Sequence, residues 1–364
     1  MRLHSRWLSA IPRLIVSLWL ASLAPITSIA HSTESTQIVV TGGSAVQLVD
    51  TYHGLIKDIF ASRSGDLSPV CLPTGAGIAF VRGVGPGREL FVYDLRQKQP
   101  VQITFEMDVR IRFSVSPDGE HLAYVSNRTK QVYVVRIDNR QSMQLTTNFV
   151  GVDWGGPQAP VWSPDGKRLA VGYFERDSYQ TSFHVIDITT RRVTPIPTPP
   201  ANAPLNWSPW SPDSTKLALG GMGRTIIVDV SNDQPRTIRE VTGYVRNVNW
   251  SPDGTKLAFE QGKEGRYCDD VYVLDLRSGG TKRVNPWFLE YRCFHGPTWS
   301  PDSKSLAFLG YFSRGDLSLF GPDTISDQLY LADGSGTARR LTEDLKERNI
   351  YGVSWCPRPL TFER

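Results

Sequence analysis

The side chains best suited to chemistry in this 364-residue chain are its histidines, its turn carboxylates and its four cysteines. Histidine moves protons or ligates metal, carboxylate pairs act as acid and base, and cysteines bridge. After residue 30 the histidines are His31, His53, His121, His184 and His295, scattered along the chain, so a metal site would need the fold to gather them. None is assigned. Asp118, Asp165 and Asp253 stand in series, but each occupies its own turn rather than a shared cleft. The sequence holds no Gly-x-Ser-x-Gly elbow, no His-Glu-x-x-His, no Cys-x-x-Cys and no phosphate-cradling glycine loop. No catalytic residue and no cofactor are therefore expected.

The aspartates belong to a recurring phrase. Its clearest copy is Trp250-Ser251-Pro252-Asp253-Gly254-Thr255-Lys256-Leu257-Ala258-Phe259, where apolar residues lead into and out of a Pro-Asp-Gly turn, the pattern of two antiparallel strands joined tightly. Good copies also centre on Pro117, Pro164, Pro212 and Pro301, and worn ones on Pro73 and Pro357. Neighbouring prolines lie 40 to 56 residues apart. Such a period, filled with short strands, indicates a radial array of four-stranded sheets. With this phrase, W-S-P-D-G-x-x-L-A-F, the chain resembles the TolB-like β-propeller family, whose WD-type repeat carries it. The resemblance covers nearly everything after residue 36.

The elements around the phrase predict an all-β propeller. After each hairpin comes a third strand ending in an acidic turn and then a short fourth strand, as in Val271 to Asp275 followed by Lys282 to Val284. Ile38-Val39-Val40 and Val46-Gln47-Leu48 match these outer strands but have no hairpin before them, whereas Tyr351 to Phe362 supplies a hairpin with nothing after it. Joining the two ends makes one shared blade, closes a ring of seven and removes exposed sheet edges. A ring of six with the N-terminal strands packed elsewhere is the rival count. The turn aspartates are expected to accept bonds from nearby backbone amides, and the tryptophans to pack between blades.

Residues 1–30, with Arg2, Arg6, Arg13 and the apolar stretch Leu14 to Leu23, read as a secretory signal sequence too short to span a bilayer. Residues 31–36 form a short linker, and 37–364 one propeller domain. The whole chain has 40 basic and 36 acidic residues, and losing three arginines with the signal leaves a net charge of +1. A near-neutral protein has no net field to draw nucleic acid or anionic membrane. The expected location is the periplasm or the exterior, with no membrane span after cleavage and a monomeric state. The cysteines suit an oxidising compartment. Cys268 and Cys293 fall on one rim of adjacent blades and could pair; Cys71 and Cys356 lie beside equivalent turns, and a bridge between them would latch the closed ring.

The working surface of such a ring is the rim where loops enter the innermost strands. Counting back four residues from each hairpin's lead residue gives Ile111, Gln158, Asn206, Arg246, His295 and Tyr351, mostly polar; two residues nearer the turn the set is mostly apolar. A polar mouth over an apolar core follows, with Gln158, Asn206, Arg246, His295 and Tyr351 as candidate binding residues and Arg110 and Arg112 in the same approaches. Arginine there favours carboxylates on a peptide or an acidic sugar. A second candidate is the long apolar loop 310–326, with Tyr311, Phe312, Leu317 and Phe320, as a partner site.

The family includes a periplasmic component of the Tol-Pal envelope system that binds a peptidoglycan-associated lipoprotein through its propeller. The resemblance thus implies a non-catalytic scaffold that binds an envelope protein or peptide. The family's N-terminal α/β domain is missing from this sequence, and no partner-contact residue is carried over. The alternative is a propeller enzyme, lyase or hydrolase, acting on acidic oligosaccharides at the channel mouth.

Overall fold

Each of the five good copies of the phrase closes on itself before it meets the rest of the chain. The Ser251 hydroxyl donates to the Asp253 carboxylate (2.6 Å) and accepts the Lys256 N–H (2.9 Å), while the Gly254 N–H returns to the Ser251 carbonyl (2.8 Å). Gly254 sits at φ 72°, where a Cβ is unfavourable. Ser214 and Ser303 hold the same place at φ 60° and 62°. Each offsets that strain by accepting a bond from the preceding blade's turn, from Asp165 N–H at 3.0 Å and from Asp253 N–H at 2.9 Å respectively. Burial works against ionisation of Asp253, but bonds from Ser251 and from the Thr255 amide and hydroxyl, with the Lys256 charge, hold it below the ordinary carboxylate range. Asp253→Ala is expected to cost about 1–2 kcal/mol. Urea unfolding checks this, and an unshifted midpoint would mean that Pro252 and Gly254 suffice for the turn.

The computed structural model describes residues 37–42, 45–51, 56–61, 66–147, 156–157, 160–175, 180–197, 209–220, 224–242, 245–262, 269–286, 292–313, 324–333, 337–341 and 350–360. Among these there is no helix, and the strands form seven antiparallel sheets. The expected signal sequence and linker lie outside the described residues. Blade 1 comprises Leu67–Cys71, Gly77–Val84, Gly87–Asp94 and Gln99–Gln102. Blade 2 runs from Ser114–Val115 to Ser142–Gln144, and blade 3 from Gly156–Pro157 and Val161–Trp162 to Val193–Ile196. Blade 4 runs from Lys216–Leu219 to Arg236–Thr242, with Trp210 bridged to Leu217 at its inner edge. Blade 5 runs from Val245–Trp250 to Thr281–Arg283, and blade 6 from Arg292–Trp299 to Ala338–Arg340.

Blade 7 joins the two ends. Ile350–Trp355 pairs with Gln37–Gly42, placing Ile38 opposite Trp355 and Val40 opposite Val353, and Ala45–Asp50 and Ile56–Ala61 follow outward. The closure is as expected, but its division differs: one strand comes from the C-terminal side and three from the N-terminal side. Ile38, Val39 and Val40 are fully buried, which suits a second strand covered on both faces rather than an outer one. After Pro357 there is no Asp-Gly to reverse the chain. Instead the Cys356 and Leu360 N–H groups bond the Gln37 carbonyl and side-chain oxygen at 2.9 and 2.7 Å.

The packing fixes the blade count. Seven clusters of buried apolar residues each draw from two adjacent blades, one cluster per interface, so the ring is seven and not six. The lead tryptophans stitch neighbours together, since Trp210, Trp250, Trp299 and Trp355 each donate their indole N–H to a backbone carbonyl of the preceding blade at 3.0–3.3 Å. The latch is present. Cys71 of blade 1 and Cys356 of blade 7 form a disulfide with Cα atoms 5.0 Å apart. Cys293 is also disulfide-bonded; Cys268, its expected partner, lies outside the described residues.

Candidate functional site at the channel mouth

The innermost strands surround an axial cavity of ≈ 450 Å³. Six blades contribute the residue just before the lead position: Val70, Ser114, Val161, Asn249, Thr298 and Ser354. Further out along these strands, regular alternation fails. Register shifts fall between Leu67 and Val70, Arg246 and Asn249, and His295 and Thr298, and the residue three before the lead has positive φ in each case: Ser68 at 52°, Asn247 at 48° and Gly296 at 65°. These are β-bulges, and a bulge re-aims the side chains on either side of it.

The bulges decide where the candidate residues go. His295 lines the cavity, as do Asn247 and Arg112. Arg246 does not: its guanidinium forms an ion pair with the buried Asp269, and its side chain is 39% exposed. Gln158 and Asn206 lie outside the described residues. Tyr351 falls within the strand Ile350–Trp355, but its side chain lies outside the description, as do those of Tyr311 and Phe312 in Ser305–Ser313. Leu317 and Phe320 lie outside altogether. The apolar layer is where alternation puts it, with Phe113 and Val248 buried.

Behind the cavity wall sits a group that alternation did not reveal. Glu260 is 3% exposed, and one of its oxygens accepts both the Asn247 amide and the Gly296 N–H at 2.6 Å. The two bulges thus present their donors to a single carboxylate, tying blade 5 to blade 6. Asn249 adds a second tie, donating to the Pro297 carbonyl at 2.7 Å. Burial pushes the Glu260 carboxyl above its ordinary range, against the opposing pull of the Gly296 and Asn247 bonds and the His295 charge. Burial also lowers the Arg112 guanidinium, and the charge of Glu260 works the other way. Arg112 stays a cation, so the site pairs a fixed positive group with a buried acid and an imidazole. It can hold an anion at Arg112, and Glu260, whose carboxyl burial holds above its ordinary range, is placed to exchange a proton. The sequence signal was present: a glutamate directly follows the apolar Leu257-Ala258-Phe259, where the matching positions of blades 1 and 2 are Val81 and Val125.

Among the described residues, one group could contact a metal ion: Asp118, Glu120 and His121, with ligand atoms within 4.8 Å, on the blade 2 hairpin. Asp118 is already bonded to Ser116 and to the Glu120 amide, and Asp118 and Glu120 are exposed. His295 belongs to no such group. No described helix is long and apolar enough to cross a membrane.

No family model matches the chain. A TolB homolog of Chlorobium luteolum is 28% identical over 167 residues, covering 45% of this chain and 36% of the relative. A Tol-Pal system protein TolB of Francisella tularensis is 23% identical over 253 residues, covering 67% of this chain and 54% of the relative. The chain thus spans between about a third and a half of these relatives' length. Among solved structures, TolB from Acinetobacter baumannii superposes with a TM-score of 0.54 at 18% identity, covering 88% of this chain and 66% of that one. The same fold is shared by an oligogalacturonate lyase from Vibrio parahaemolyticus, with a TM-score of 0.56 at 13% identity over 84% of this chain and 86% of the lyase. Repeat, ring and relatives agree: the chain is a TolB-like seven-bladed β-propeller.

Proposed function

We propose that this chain is an exported, non-catalytic scaffold of the cell envelope, monomeric, periplasmic or secreted, which grips an acidic segment of a protein or peptide at its channel mouth. The observation that carries this reading is the axial cavity itself, walled by six blades, with Arg112 at its rim and backbone bulges aiming polar groups inward. The TolB relatives, one of them named for the Tol-Pal system, support a scaffold of that kind. The test is capture of a discrete protein from an envelope extract by the immobilised chain. Arg112→Glu is expected to reduce that capture at least tenfold while circular dichroism stays unchanged, because a like charge then meets the ligand carboxylate. Equal capture by the variant would move the binding site elsewhere.

A second reading is favoured by Glu260. A buried acid with a raised pKa beside an imidazole and an arginine suits a lyase or hydrolase of acidic oligosaccharides, and one fold neighbour is such a lyase. Metal analysis of the purified protein and an assay on uronate oligomers separate the two readings.

A further inference from the structure

Two interfaces of the ring are built alike but filled differently. Between blades 3 and 4, and again between blades 5 and 6, a turn with glycine precedes a turn with serine, and the serine hydroxyl bonds the preceding aspartate's amide in the same way, from Asp165 to Ser214 and from Asp253 to Ser303. In the 3/4 interface Arg168 occupies the cleft below. Its guanidinium lies 5.0 Å from the Trp210 ring centroid, donates to the Val230 carbonyl at 2.6 Å and donates to the Ser214 carbonyl. That cleft retains ≈ 270 Å³.

Lys256 is the matching residue of blade 5, also six positions after its tryptophan. Its ammonium stands 5.9 Å from the Trp299 ring centroid and makes no hydrogen bond to Ser303 among the described residues. The 5/6 cleft measures ≈ 680 Å³, a size typical of ligand sites. Trp299, Val273 and Leu306 form its apolar wall, Ser303 keeps the φ of Ser214, and four aspartates against three lysines leave its lining at a net charge of −1.

We propose that the blade 5/6 cleft binds an arginine side chain of a partner peptide, its guanidinium stacked on Trp299 and donating to the Ser303 carbonyl, in the manner of Arg168 between blades 3 and 4. A planar fork matches a ring face and a carbonyl together, which an ammonium cannot. The site is separate from the channel mouth and does not depend on what binds there.

The test titrates acetyl-Gly-Arg-Gly-amide into the full chain while following the Trp299 indole N–H by NMR, with citrulline and lysine peptides as controls. One saturable site is expected for the arginine peptide, at least tenfold tighter than for either control. Lys256→Arg fills the slot from within the chain, so it should weaken peptide binding at least tenfold and raise the thermal midpoint. Arg168→Lys opens the matching cleft, and the number of sites should rise from one to two. A citrulline or lysine peptide that binds as tightly as arginine, or unchanged affinity in Lys256→Arg, would overturn the assignment.

Discussion

Replacing Cys71 and Cys356 together with serine is expected to lower the unfolding free energy by about 4–5 kcal/mol, a large share of the 5–15 kcal/mol typical of a folded domain. The bridge joins residues 285 apart, so it constrains almost the whole unfolded chain, and the loop-closure argument gives its largest values for such long loops. It also lies where the ring was joined. Blades 1 to 6 are each continuous in sequence, whereas blade 7 takes its C-terminal strand from the far end of the chain and holds it by non-covalent contacts alone once the bridge is gone: pairing from Ile38–Trp355 to Gly42–Ile350, the bonds to Gln37 and Thr298, and the buried clusters on either side. The double variant should therefore fold but open first at blade 7. Denaturant midpoints measure the loss, and hydrogen exchange should show faster exchange at Val39 and Thr41 than at the fully buried Ala258 of blade 5. Equal midpoints for variant and wild type would remove the latch from the account of stability.

The same element shows what the sequence could reveal and what it could not. The Pro-Asp turn carries its own hydrogen bonds within six residues, so its copies read directly as hairpins, and their spacing read as blades. The closure was legible because Ile38 to Leu48 lacked a partner hairpin. Its division was not, since a buried second strand and an outer strand both show valine and isoleucine, and only the full burial of Ile38 to Val40 separates them. At the channel mouth, counting residues assumed unbroken alternation. Bulges at Asn247 and Gly296 break it, and both residues adopt positive φ in segments that otherwise read as ordinary strand. His295 reached the cavity, but Arg246 turned to Asp269, and the polar focus passed to Asn247, Arg112 and Glu260.

Glu260→Ala is expected to cost about 1–3 kcal/mol, because it leaves the half-buried Asn247 amide and Gly296 N–H without their shared acceptor. Glu260→Gln keeps one acceptor oxygen and should cost less, and its comparison with wild type carries the pH dependence. Burial raises the folded-state pKa of Glu260 above the unfolded value of 4.5. A raised carboxyl favours folding fully below the unfolded pKa and loses that contribution as pH rises through the folded one. Wild type should therefore gain stability relative to Glu260→Gln as pH falls towards 4.5. The Asp187, Asp253 and Asp302 carboxyls, held below their ordinary value of 3.8, lose their contribution only as pH falls below that value, outside this window. The difference between the two proteins, measured by urea midpoints from pH 8 down to pH 4.5, isolates Glu260. A constant difference would mean that the carboxyl is not raised, and the case for proton transfer at the mouth would go with it. The same variant divides the two functional readings: a scaffold that holds its ligand at Arg112 should keep its affinity within a few-fold in Glu260→Gln, whereas an enzyme using this acid should lose turnover of uronate oligomers by about a hundredfold or more.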